Sequence, residues 1–219
     1  NCEREFKDYV DETPNLQVTP EQLNEAAFKR ASVLNVCSGT MFDPTALATT
    51  RAAVDMAKDK GAIIAIDANI RPLRWSSEEF CRDTITSFFE DADILKLTDE
   101  ELFFLTETDT LEAGLAKLDE LLVPIILITV GAEGAYAVLN GEVTHVPVEK
   151  VIPVDTTGAG DAFMAGVLRY VHFNGLPTVT EDLVKCVAFG NKLGAFAATK
   201  AGALTALPHY EDIKHLVED

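Results

Sequence analysis

Three short apolar runs, each followed at once by a turn or a helix start, constrain this chain most. Ala62 to Asp67 reads Ala-Ile-Ile-Ala-Ile-Asp, Ile94 to Leu97 reads Ile-Leu-Lys-Leu, and Ile125 to Val130 reads Ile-Ile-Leu-Ile-Thr-Val. Such runs are too short for helices and too continuously apolar for a sheet with one wet face. They suit strands of a mainly parallel sheet covered by helices on both sides. A fourth strand reads from Val33 to Ser38. Helix signals fall between them. Thr19-Pro20-Glu21-Gln22 is a capping box with proline at the first helical position, and Asp43-Pro44 opens a long helix that ends near Gly61. Ser76 with Glu79 is expected to cap the next helix, Thr98 opens another, and 110–121 is helical. Asn140-Gly141 marks a two-residue hairpin turn inside 135–146. Helices then run from Gly158 to Tyr170, stopped by Asn174-Gly175, and from Thr180 to Thr199, before a short last helix. The fold class expected is α/β, a three-layer αβα arrangement, with no clear domain linker.

Composition narrows the function classes. The chain has 219 residues, 47% hydrophobic, enough for a sizeable core. Asp and Glu number 36 against 18 Lys and Arg, a formal charge of −18 that disfavours both nucleic acid and anionic membrane as partners. The longest apolar run, 121–130, is broken by Pro124 and too short for a bilayer. No secretory leader is visible. Cys2, Cys37, Cys81 and Cys186 are widely spaced and read as reduced thiols of a cytoplasmic protein. His145, His172, His209 and His215 lack zinc-ligand spacing.

Ligands of open α/β sheets bind beyond the carboxyl ends of the strands. Four segments lie there: 67–75, 98–101, 129–134 and 155–163. The most informative is Asp155-Thr156-Thr157-Gly158-Ala159-Gly160-Asp161-Ala162-Phe163. Gly158 and Gly160 allow close backbone approach at a helix start, where free N–H groups and the helix dipole attract an anion. Asp161 lies just inside that helix, placed to take a proton from an alcohol. The alternative from spacing alone is a glycine-rich turn with Asp161 as a first-turn acid. No G-x-x-x-x-G-K-[ST] loop occurs, and the third glycine of the dinucleotide fingerprint is missing.

The 155–163 segment resembles the C-terminal signature of the ribokinase-like (PfkB) carbohydrate kinases. The resemblance implies that Gly158, Ala159 and Gly160 form the anion hole and that Asp161 is the catalytic base. Asp67-Ala68-Asn69-Ile70-Arg71-Pro72-Leu73-Arg74-Trp75 is similar to the D-x-N-x-R-x-x-L-W segment of fructokinases and 2-keto-3-deoxygluconate kinases, with Arg74 where leucine is usual. It implies substrate-binding roles for Asp67, Asn69 and Arg71. Read from the residues alone, the same segment is a polar strand-end turn, a packing tryptophan and a solvated cation. Thr98 to Glu101 resembles the family N-x-x-E element, which implies that Thr98 lies on the nucleotide side and that Glu101 organises water around Mg²⁺. It is equally a capping box. Thr129, Gly131 and Gly134 match the nucleotide-side T-x-G-x-x-G, which is also a strand-to-hairpin turn. Asn191 falls on the helix that lines the adenine pocket, and Gly202 falls near the monovalent-cation site that some members have.

The resemblance implies an ATP-dependent sugar kinase using Mg²⁺, and in some members K⁺. The acceptor would be a primary hydroxyl, most often that of fructose. A 2-keto-3-deoxygluconate kinase is the first alternative, and a non-catalytic interaction protein that keeps the fold is the other. Small molecules, a sugar and ATP, are the implied partners, together with a possible homodimer. Family members are longer. Their first strands, an early sugar-binding Asp, a Gly-Gly motif and most of the lid have no counterpart in this sequence. Residues 1–219 are therefore expected to form the C-terminal nucleotide-binding and catalytic part of one ribokinase-like domain. Phe6, Tyr9 and Val10 in 1–10 would be a lid or edge-strand remnant.

Overall fold

A computed structural model describes residues 17–119 and 123–217, without the side chains of 119, 216 and 217. The expected strand in 1–10 lies outside the described residues. The chain divides into two compact units, with the boundary between Ile128 and Thr129.

The first unit alternates strand and helix. Thr19 caps a short 3-10 turn, Pro20–Gln22, and its N–H donates to Gln22 Oε1 at 2.9 Å. A one-turn helix, α1 (Glu25–Phe28), precedes β1 (Val33–Cys37). Asp43 accepts from the N–H groups of Thr45 and Ala46 and starts α2 (Pro44–Asp59), with proline at its first position. Strand β2 (Ile63–Asp67), helix α3 (Glu78–Thr86), strand β3 (Ile94–Thr98), helices α4 (Asp99–Thr106) and α5 (Leu111–Asp119), and strand β4 (Ile125–Thr129) follow. The strands lie side by side in chain order, β1-β2-β3-β4. The pairs β1–β2 and β2–β3 are parallel, with Val33 opposite Ile63, Cys37 opposite Asp67 and Asp67 opposite Lys96. Strands β2, β3 and β4 are buried almost throughout, as their continuous apolar runs require, whereas β1 is half-exposed.

One cap differs from expectation. Ser77, not Ser76, caps α3, with its Oγ accepting from Phe80 N–H at 3.1 Å. Only Ser76 has a glutamate three residues on; Ser77, with extended backbone, caps through its own Oγ alone.

The second unit opens with a hairpin, β5 (Ala135–Leu139) and β6 (Glu142–Val146), closed by Asn140 and Gly141, both at positive φ. Two long helices follow, α6 (Ala159–Asn174) and α7 (Thr180–Ala198), and then α8 (Tyr210–Val217). Helices α6 and α7 press together through glycines. A Cβ on Gly166 would lie 2.9 Å from Gly190 Cα, and one on Gly190 would lie 3.0 Å from the Phe163 ring. Ala162, Leu193, Ala197, Ala206 and Ile213 form a buried cluster, with Phe189 and Leu207 packed against it. Among the described residues, no helix is long and apolar enough to cross a membrane.

Candidate active site

In the first unit, the predicted residues gather where β2 and β3 end. Asp67 closes β2 and is 4% exposed. The neighbouring strand places Lys96 directly opposite, and Lys96 Nζ lies 3.0 Å from Asp67 Oδ1. Both side chains are buried, so the charges depend on each other. Lys96 escaped the sequence reading. Its signal is a lysine inside an apolar strand, which demands a carboxylate nearby.

Beyond Asp67 the chain turns through Ala68, Asn69 and Ile70. Asn69 adopts a left-handed backbone at φ +40, a region that asparagine tolerates better than most residues. The N–H of Ala68 donates to the Lys96 carbonyl at 3.0 Å, and Ser38 Oγ donates to the Ala68 carbonyl. Arg71 is half-buried, and its Nη1 donates to the Ile70 carbonyl at 2.8 Å. Arg74, the departure from the expected leucine, lays its guanidinium 4.2 Å from the centre of the Phe42 ring. Trp75 is buried between Phe42 and Phe80, with centroids at 6.5 and 5.7 Å. It acts as the packing residue that the segment requires to hold its turn.

Thr98 and Glu101 form the capping box of α4. Thr98 Oγ1 accepts from Glu101 N–H at 3.1 Å, and Glu101 Oε2 accepts from Thr98 N–H at 2.8 Å. Glu101 Oε1 accepts from Ile70 N–H at 2.7 Å. The capping box is thus also tied to the loop after β2.

In the second unit, the glycine loop enters α6. Gly158 is its N-cap at φ +80, and a Cβ there would lie 3.3 Å from Ala203 Cα. The left-handed turn falls on Gly158, whereas Gly160 is already helical. Of the loop amides, Thr157 N–H is spent on Asp155 Oδ1 at 2.9 Å and Ala159 N–H on the Thr156 carbonyl at 3.2 Å. Among the described residues, no acceptor takes the N–H of Gly158, Gly160 or Asp161. The Ala159 N–H is thus engaged within the loop. Asp161 is exposed in the first turn of α6.

Asp155 and Gly194 hold this loop. Asp155 Oδ2 accepts from Gly202 N–H at 2.9 Å, which ties 155–158 to 201–205. Gly194 of α7 lets that helix approach the loop, since a Cβ there would lie 3.1 Å from the Ala159 carbonyl oxygen. The signal for Asp155 was its position two residues before a free amide, an Asx-turn spacing.

Thr129 ends β4, and Gly131 (φ +57) and Gly134 (φ +99) shape the turn into β5. A Cβ on Gly134 would lie 2.3 Å from the Val146 carbonyl oxygen. That same carbonyl accepts from Asn191 Nδ2 at 2.9 Å. Gly134 and Asn191, predicted from separate motifs, therefore meet at the end of β6. The buried Asn191 amide is engaged in holding that strand. No group of three or more His, Cys, Asp or Glu with metal-binding geometry exists among the described residues. Mg²⁺ fits such a donor set only as an ion carried by phosphates and water, its common mode.

Residues 2–209 match the model of the pfkB family carbohydrate kinases. The chain is 37% identical over 213 residues to a fructokinase of Klebsiella pneumoniae, covering 97% of this chain and 69% of that protein. It resembles the crystal structure of Vibrio cholerae fructokinase in its fructose-, ADP- and calcium-bound form, with TM-score 0.84 and 31% identity. That match covers 90% of this chain and 64% of the other. It also resembles fructokinase with bound ATP from Xylella fastidiosa, with TM-score 0.87 and 27% identity over 99% of this chain and 70% of that one. The chain thus spans about two-thirds of the length of these relatives. A family match over residues 2–209, nearly the whole length, leaves one conclusion: the chain belongs to the pfkB family of carbohydrate kinases.

Proposed function

We propose that this chain carries the nucleotide-binding and catalytic part of an ATP-dependent fructokinase, moving the γ-phosphoryl group of ATP to a primary hydroxyl of fructose. The observation that carries the reading is the start of α6, where the N–H groups of Gly158, Gly160 and Asp161 have no acceptor among the described residues and Asp161 stands beside them. Free amides at a helix N-terminus stabilise the charge of a transferring phosphoryl group. Asp161 removes the proton of the attacking hydroxyl, and the loop keeps donor and acceptor in line. Fructose as acceptor is supported by the fructokinase relatives and by the fructose named with the Vibrio structure.

Asn69 and Arg71 orient the sugar, and the Asp67–Lys96 pair sets the strand end from which they project. Thr98, Thr129, Gly131 and Gly134 lie on the nucleotide side, with Asn191 holding the wall of the adenine pocket. Mg²⁺, when bound, offsets phosphate charge, and Glu101 orders water next to it. A monovalent cation such as K⁺ beside the 202 loop, a homodimer and a cytoplasmic location belong to the same reading.

The test is ADP release across a sugar panel, with Asp161→Asn beside the parent chain. That variant keeps shape and loses basicity, so turnover falls about 10²-fold or more while ATP still binds. Near-normal kcat in Asp161→Asn removes Asp161 as the base. Preference for 2-keto-3-deoxygluconate, with Arg71→Ala raising KM for that acid alone, replaces fructose by the sugar acid.

A further inference from the structure

The capping box of α4 requires only one side-chain oxygen at Glu101, and a glutamine would supply it as well. Glu101 uses two. Oε2 takes the N–H of Thr98, and Oε1 reaches back 31 residues to take the N–H of Ile70 at 2.7 Å. Only a carboxylate offers two acceptor oxygens, so the second bond explains why the residue is glutamate. Ile70 sits between Asn69, in its left-handed backbone, and Arg71. Further ties of this loop act on Ala68, through Ser38 and the Lys96 carbonyl, and on the Ile70 carbonyl, through Arg71. The Ile70 N–H joins the loop beyond Asn69 to the start of a helix.

We infer that Glu101 is a positioning residue for the sugar acceptor: its Oε1 holds Ile70 and thereby sets the geometry of Asn69 and Arg71. This rests on the reading that Asn69 and Arg71 touch the acceptor, and it is separable from the water-ordering role at Mg²⁺ proposed above. A metal role would govern the Mg²⁺ requirement, whereas a loop tie governs affinity for the sugar.

The experiment compares Glu101→Ala, which removes both acceptors, with Glu101→Gln, which keeps one, and with Thr98→Ala, which removes the hydroxyl cap and leaves the carboxylate. Amide hydrogen exchange at Ile70 is measured in each. KM for fructose, KM for ATP and the Mg²⁺ concentration for half-activation are measured in the two Glu101 variants. The expected result is exchange at Ile70 about 10-fold faster in Glu101→Ala, intermediate in Glu101→Gln and unchanged in Thr98→Ala. The KM for fructose rises about 10-fold in Glu101→Ala with KM for ATP within about 2-fold, since the tie acts on the acceptor loop. Unchanged Ile70 exchange with only the Mg²⁺ requirement moving overturns the inference. So does faster exchange with an unchanged KM for fructose. A chain that phosphorylates no sugar, yet shows the exchange pattern, separates failure of the kinase reading from failure of the tie.

Discussion

Asp155 gives the sharpest test of how the α6 loop is held. Its two carboxylate oxygens accept from Thr157 N–H and from Gly202 N–H, each at 2.9 Å. The first bond is local, between residues two apart. The second spans 47 residues and is a tie between two loops. Asp155→Asn retains one oxygen and presents an NH₂ group to one of the two donors. A hydrogen bond to a charged acceptor contributes about 1.5–3 kcal/mol, and Asp155 is half-buried, so the lower end applies. The local Asx turn is the easier bond to keep, so the loss falls on Gly202. A loss of about 1.5 kcal/mol is slightly more than a tenfold change in a local opening equilibrium. Amide exchange at Gly202 should therefore accelerate about 10-fold in Asp155→Asn and at least as much in Asp155→Ala. Turnover should fall with it, because Gly158 packs on Ala203 in the loop released. Exchange at Gly202 within about 2-fold of the parent chain would refute the reasoning, since the tie would then carry no net stability.

Other expectations follow from the same geometry. Gly158→Ala places a side chain at φ +80 and 3.3 Å from Ala203 Cα, so it should destabilise the loop by about 1–3 kcal/mol, read as lost turnover and lower thermal stability. Lys96→Leu removes the buried ion-pair partner of Asp67 and should cost about 3–5 kcal/mol in denaturant unfolding, whereas replacing both residues with apolar ones should recover much of it. Burial pushes the thiols of Cys81 and Cys186 from 9.0 up to about 12. At pH 8 an alkylating agent should therefore label exposed Cys37 and spare those two in the folded chain, as peptide mapping would show. The sign of the linked stability is fixed. The folded thiols keep their protons where unfolded ones lose them, so their contribution is complete below pH 9 and declines as pH rises from about 9 toward 12. A rise in stability over that window would contradict their burial.

Local sequence dictated the elements and much of the chemistry. Continuous apolar runs could only be buried strands, Asp43-Pro44 could hardly avoid starting a helix, and Asn140-Gly141 carried the hairpin in two residues. These are local effects of backbone sterics, capping and periodicity, and they need no partner from afar. The 155–163 motif likewise located the loop, because glycines and a first-turn carboxylate state their geometry locally. What only the tertiary structure decided are the contacts between residues far apart in the chain. Nothing near Asp67 in sequence announces Lys96, because strand register brings them opposite each other. The capping box explained Glu101 so completely that its second oxygen, bound to Ile70, stayed hidden. Asp155 and Gly202, and Gly134 and Asn191, meet for the same reason. Hydrogen bonds and glycine contacts of this kind depend on distances of a few ångströms, and those are fixed only when the helices and strands have packed.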